Sequence, residues 1–136
     1  MTSGVIDWPY ATGHPLPMTE YETIAQRYID CWNETDADKR RAMLDEVFTS
    51  DTSFTDPLVA VHGPAAIDEV IAGVQQQLQG LALTLGPVDG HHDIARFTWQ
   101  VAGPDEPLVV GFDVIVLAEG KIKHVHGFLD KVPALG

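Results

Sequence analysis

The stretch Val109-Val110-Gly111-Phe112-Asp113-Val114-Ile115-Val116-Leu117 decides how this chain folds. It carries a single charged side chain and is rich in β-branched residues, so it predicts a strand that is apolar on both faces. One face is expected to meet helices. The other needs a cover, which a partner subunit would supply. Asp113 shares its face with Val109, Gly111, Ile115 and Leu117. A carboxylate placed there loses its water, and desolvation disfavours the charged form.

Outward from this run the pattern keeps a period of two. Ala95, Phe97, Trp99 and Val101 alternate with Arg96, Thr98 and Gln100, as in a half-buried strand. Leu81, Leu83 and Leu85 alternate before it, and Asp89-Gly90 reads as the hairpin turn between the two. Gly103-Pro104-Asp105 makes the next connection. Glu119-Gly120 makes the last turn, followed by a strand over Ile122 to Asp130.

Upstream of Leu81 the period becomes helical. Thr19 and Glu22 form a capping box for a first helix, on which Tyr21, Ile24, Ala25, Tyr28 and Trp32 recur at helical spacing. Thr35 or Asp36 caps a second helix. Its apolar face holds Met43, Leu44, Val47 and Phe48, and its polar side Arg40, Arg41, Asp45 and Glu46. Ser50-Asp51-Thr52 reads as a turn and Ser53 to Asp56 as a short strand that Pro57 ends. His62-Gly63-Pro64 opens a third helix with Ile67, Val70, Ile71, Val74 and Leu78 on one face, and Gly80 stops it. Helices first and a meander of antiparallel strands after them is an α+β pattern. Residues 1–18 hold three prolines and two glycines without a period and read as an N-terminal arm. The domain is expected over 19–132, with a short tail at 133–136.

A chain of 136 residues suggests one domain, which buries roughly two-thirds of its unfolded surface without staples. One cysteine, Cys31, excludes an internal disulfide and reads as a buried thiol. Twenty acidic residues against eight basic ones give a net charge of −12, which repels phosphate backbones and argues against nucleic acid as a partner. The amino end shows no basic and apolar leader pattern, and no stretch reaches the length of a membrane span. A cytoplasmic protein without a membrane partner is therefore expected.

Three proton-handling residues stand out: Tyr28 in a helical apolar stripe, Asp56 at the close of a strand, and Asp113. Two carboxyl groups in different environments and a phenol suit acid–base work on a small apolar substrate. Each also has a purely structural reading. Asp113 pairs with Arg96 or a histidine, Asp56 shapes the turn before proline, and Tyr28 bonds a backbone carbonyl in the core. Trp99, Phe97, Trp32 and Phe128 form an apolar wall for a flat hydrophobic ligand, or plain core. His126, beside His124 and with Asp113 or Asp130, offers an acid–base pair or a metal site, while Asp130 orients a pocket water or caps the sheet. No metal-binding spacing, phosphate loop or nucleophile elbow is present, so neither a metal nor a cofactor is expected.

The order of these elements resembles the nuclear-transport-factor-2-like superfamily, which includes the ketosteroid isomerases and the SnoaL-like polyketide cyclases. The resemblance covers about residues 19–130. It is carried by Arg27-Tyr28-Ile29-Asp30, Thr55-Asp56-Pro57, His62-Gly63-Pro64-Ala65-Ala66-Ile67, Phe112-Asp113-Val114 and Gly120-Lys121-Ile122. It implies three N-terminal helices on a strongly curved, mostly antiparallel sheet. Such a cystatin-like cone has an internal pocket, and most members are homodimers, here through the outer sheet face. In ketosteroid isomerases an aspartate before proline is the base. A helix-one tyrosine and an aspartic acid kept neutral by its apolar site hold the oxyanion. By motif these roles fall on Asp56, Tyr28 and Asp113. Phe48 and Ile71 stand where the isomerases place supporting tyrosines.

The resemblance therefore implies an enzyme of the isomerase or cyclase type. It would bind an apolar carbonyl compound and move a proton next to the carbonyl without a cofactor. Two other functions fit the same sequence. One is epoxide-hydrolase-like water addition, in which Asp113 with His126 or Asp130 activates water; an Asp-Arg-Asp set would need Arg96 in the pocket, whereas its strand parity places it opposite Trp99. The other is a non-catalytic ligand-binding or dimerisation module, since this fold also serves as a scaffold.

Overall fold

The computed structural model describes residues 19–133, so the expected arm over 1–18 and residues 134–136 of the expected tail lie outside the described residues. The chain runs α1 (Glu20–Asn33), α2 (Ala37–Val47), β1 (Phe48–Thr55), β2 (Ala60–His62), α3 (Pro64–Gln77), β3 (Leu83–His91), β4 (Ile94–Ala102), β5 (Pro107–Ala118) and β6 (Lys121–Lys131). This is the expected α+β class with three helices.

The capping box at the head of α1 forms as its four residues dictate. The Thr19 hydroxyl accepts from the Glu22 N–H at 3.1 Å, and the Glu22 carboxylate accepts from the Thr19 N–H at 3.2 Å. Two donors that the first turn leaves unpaired are thus satisfied. Thr19→Ala is expected to lower stability by about 1 kcal/mol in urea denaturation, with the unfolding slope unchanged.

Asp36, the second of the two expected caps, begins α2 and accepts from the Lys39 N–H at 3.1 Å. Arg40 departs from its expected place on the polar side of this helix and is 3% exposed. Its Nε donates to Asp68 Oδ1 at 2.5 Å, and its guanidinium also donates to the Glu34 carbonyl at 2.8 Å and to Gln75 Oε1 at 3.1 Å. Gln75 Nε2 donates in turn to the carbonyls of Trp32 and Glu34. The last turn of α1 has no basic residue of its own. A cation from α2 and an amide from α3 serve its terminal carbonyls instead.

Strand β1 begins where α2 ends, which corrects the expected turn at Ser50-Asp51-Thr52 and moves Phe48 off the helix. The Phe48 N–H still closes α2 on the Leu44 carbonyl, while Phe48 already pairs with Ile122. Thr52 is fully buried and its hydroxyl donates to the Lys123 carbonyl at 2.9 Å. The polar tract thus lies within the sheet. Strand β2, which the sequence did not announce, pairs antiparallel with β1 across the Pro57 turn.

The six strands form one sheet in the order β2-β1-β6-β5-β4-β3. All neighbours are antiparallel except β1 and β6, which run parallel. The β5–β6 hairpin turns on Glu119 and Gly120, both left-handed at φ 54° and 79°, the backbone that a two-residue type I′ turn requires. The β3–β4 turn falls on His92-Asp93 and not on Asp89-Gly90, which pair inside the ladder with Arg96 and Ala95. The reason is helix packing. A side chain at Gly90 would collide with the Tyr21 ring, and the Tyr21 hydroxyl donates to the His92 carbonyl at 2.9 Å. Register shifts at Leu85/Val88, Val101/Ala102, Val110/Gly111 and Val116/Leu117 bend the sheet, which stays open. Tyr28, Leu44, Ile67, Ile71, Phe97, Ile115 and Val125 join the three helices and the inner face of the sheet in one buried cluster. Among the described residues no helix is long and apolar enough to cross a membrane.

Candidate active site

The alternation of β5 turns Val109, Gly111, Asp113 and Ile115 inward. Asp113 stands directly between Phe97 of β4 and Gly127 of β6 and is 4% exposed. Two missing side chains make room for it. The ring of Trp99 occupies the space that a Cβ at Gly111 would fill, and its Nε1–H donates to Asp113 Oδ2 at 3.2 Å. Beside Gly127, the point where a Cβ would sit is 2.9 Å from Asp113 Oδ1 and 3.2 Å from the Cβ of Asp56. The two aspartates therefore meet in, and fill, the small niche that the missing Gly127 side chain leaves on the sheet.

Tyr28 reaches this niche from α1. It is 2% exposed and packs edge-on against Phe97, Phe48 and Trp32, with ring centroids 5.7, 6.0 and 6.3 Å away. Burial raises the Asp113 pKa to about 7. The neighbouring Tyr28 hydroxyl and the hydrogen bond from the Trp99 indole pull it back in part, and the charge of Asp56 adds to the rise. Burial first, and the charge of Asp113 second, hold the Tyr28 phenol well above its ordinary value. Tyr28 is thus a neutral donor throughout the physiological range, while Asp113 exchanges its proton in the middle of it.

Asp56 is half-buried at the end of β1. Its Oδ1 accepts from the N–H groups of Leu58 at 2.8 Å and Val59 at 3.0 Å, and its own N–H donates to the Val59 carbonyl. It shapes the turn and borders the niche at once. Of the expected residues, the structure brings together Tyr28, Asp56, Asp113 and Trp99. Phe97 and Trp32 pack directly on Tyr28, the former as fully buried core.

Three residues expected at the site lie elsewhere. Asp113 pairs with Gly127, so the inward positions of β6 are Val125, Gly127 and Leu129. His126, Phe128 and Asp130 then face the other side of the sheet, where all three are exposed. Phe128 meets Phe112 there at 6.4 Å, and His126 lies 6.1 Å from His124, whose Nδ1 is 2.6 Å from Ser53 Oγ. Arg96 is also on that face, 3.5 Å from Asp89, so neither the Asp113–Arg96 pair nor an Asp-Arg-Asp set is assembled. Among the described residues no group of three potential ligands is placed to hold a metal ion. Two surface clefts of about 340 and 370 Å³ lie away from Asp113. One sits between α2 and α3 at Arg41 and Pro64, the other beside Arg27 and Leu117. Gly111 and Gly127 thus act as spacers for the side chains beside them. An isolated glycine inside a strand pattern, apolar around Gly111 and mixed around Gly127, is the signal that marks both.

Three helices on an open, bent, mostly antiparallel sheet of six strands form the architecture of the nuclear-transport-factor-2-like superfamily. Within it, the SnoaL-like domain matches residues 25–125, and the chain belongs to that family. A SnoaL-like family protein of known structure from Agrobacterium tumefaciens, described as a candidate isomerase, is 38% identical, with a TM-score of 0.77 over 83% of this chain and 99% of that one. A candidate SnoaL-like polyketide cyclase from a Jannaschia species is 18% identical, with a TM-score of 0.68 over 87% of this chain and 91% of the other. A candidate ketosteroid isomerase from Kribbella flavida is 19% identical, with a TM-score of 0.63 over 86% and 84%. The last two show likeness of fold. No curated protein matches the chain.

Proposed function

We propose that this protein catalyses proton transfer next to the carbonyl of a small apolar compound, as an isomerase or an aldol-type cyclase, with Asp113 as the base. The observation that carries this reading is the Asp113 carboxyl itself. It is enclosed, accepts from the Trp99 indole, and has a pKa near 7. A base works best when its pKa lies near the working pH. Asp56 suits that role less well, because two backbone N–H groups already occupy its Oδ1.

In the proposed reaction the Asp113 carboxylate takes a proton from the carbon beside the carbonyl. The electron pair moves to the carbonyl oxygen, where the neutral Tyr28 hydroxyl donates to the developing enolate. In isomerisation the protonated Asp113 returns its proton further along the conjugated system. In cyclisation the enolate carbon attacks a second carbonyl, and the new alkoxide takes the proton. The aromatic groups around Tyr28 keep water away and strengthen the hydrogen bonds inside. Asp113 is enclosed in this conformation, so substrate access entails opening around it.

The test is exchange of α-protons of apolar β,γ-unsaturated ketones with deuterated water, followed by NMR. The wild-type protein is expected to accelerate exchange, and Tyr28→Phe to slow it by about 10²–10³-fold, the usual effect of removing one oxyanion donor. No exchange above the protein-free rate with any ketone tried would remove the proton-transfer reading.

A further inference from the structure

We infer that Trp99 is a positioning residue that fixes the reacting carboxyl of Asp113, and that Gly111 is glycine so that the indole can lie where it must. This rests on the reading of Asp113 as the proton acceptor. Trp99 is half-buried on β4, directly across the ladder from Gly111. Any side chain at 111 would overlap the six-membered ring and the Nε1 edge of the indole. With that space open, the ring lies against β5 and aims its N–H at Asp113, which follows Gly111 by two residues and shares its face. The bond takes Oδ2, while Oδ1 borders the niche at Gly127. The indole thus sets which way the carboxyl turns, and it favours the charged form.

Few other groups compete for that control. Among the described residues, the charged or titratable side chains that act on Asp113 are Tyr28 from α1 and Asp56 from the end of β1. On β4 and β6 its direct partners across the ladder are Phe97 and Gly127, neither of which titrates.

The experiment follows the indole N–H resonances of the ¹⁵N-labelled full chain, and the ¹³C carboxyl resonance of Asp113, between pH 5 and 9. The chain has three tryptophans, and the Trp99 signal is the one that Trp99→Phe removes. In the wild type that signal is expected to move with a midpoint near 7, and in Asp113→Asn to stay flat. Trp99→Phe keeps an aromatic ring over Gly111 but loses the donor. It is expected to raise the Asp113 midpoint by about one pH unit, the equivalent of one charge-assisted hydrogen bond. Gly111→Ala, which displaces the indole while keeping tryptophan, is expected to do the same.

An unmoved midpoint in Trp99→Phe or Gly111→Ala, or an indole titration that persists in Asp113→Asn, overturns the inference. These signals need no substrate, so they decide the part played by Trp99 even if no ketone is turned over. A failed exchange assay with a normal indole titration overturns the reaction and leaves the positioning.

Discussion

Asp113→Asn is expected to slow α-proton exchange by about 10²–10⁴-fold at pH 8, the usual worth of a positioned general base. Asparagine has the same shape and keeps an oxygen for the Trp99 N–H, but it cannot take up a proton. The pH dependence of the wild-type protein separates two roles that a simple loss of rate does not. If Asp113 is the base, its carboxylate is the active form. The rate then rises with pH through about 7 and levels off above it. If Asp113 is instead the neutral acid that donates to an oxyanion, the protonated form is active and the rate falls through the same value. Measured kcat/KM between pH 5 and 9 gives the direction. A falling limb assigns the base elsewhere, with Asp56 the nearest carboxyl, and an unchanged rate in Asp113→Asn removes the site altogether.

Features whose partners are close in sequence were legible in it. The Thr19–Glu22 capping box spans four residues, and the Glu119-Gly120 turn spans two. The inward set Ala95, Phe97 and Val101 follows from alternation alone. Features that depend on distant partners were not. Ser50-Asp51-Thr52 has a turn's composition, yet Thr52 finds its acceptor at Lys123 and becomes a buried strand residue. Asp89-Gly90 has a hairpin's composition, yet Gly90 is needed beneath the ring of Tyr21. Arg40 looks like a surface residue until Asp68 and Gln75 arrive from α3.

The candidate site divides along the same line. Asp113 stands out in the sequence because it breaks the apolar pattern of its strand, whereas Tyr28 fits the stripe of its helix and Asp56 is marked by the Pro57 that follows it. His126, Phe128 and Asp130 were drawn to the site by their chemistry, but the pairing of Asp113 with Gly127 turns them outward together. In a strand such as β6, whose two faces both mix polar and apolar residues, a period of two says which residues share a face and leaves open which face is buried. That choice is made by the neighbouring strand. Here it favours the small residue, because only glycine leaves space for two aspartates.

The same carboxyl is expected to make the fold less stable as pH rises from about 4 to about 7. In the unfolded chain Asp113 has its ordinary pKa of 3.8, and in the fold it is about 7. Between these values the folded state binds the extra proton. Stability is therefore greatest below about pH 4, falls as pH rises towards 7, and is constant above, as far as this group is concerned. The interval corresponds to about 4 kcal/mol in order of magnitude. With Asp113 4% exposed, solvent screening takes little away from it. Asp113→Asn removes the ionisation while keeping the shape. Urea denaturation of both proteins should therefore show the variant more stable by a few kcal/mol at pH 8, with the difference shrinking steadily towards pH 5. Parallel stability curves over that range would mean that the carboxyl is solvated in the fold, and the reason for a pKa near neutrality would be gone. A variant that gains stability while losing turnover is the expected mark of a charged group held in an apolar enclosure for its reactivity, against the interest of the fold.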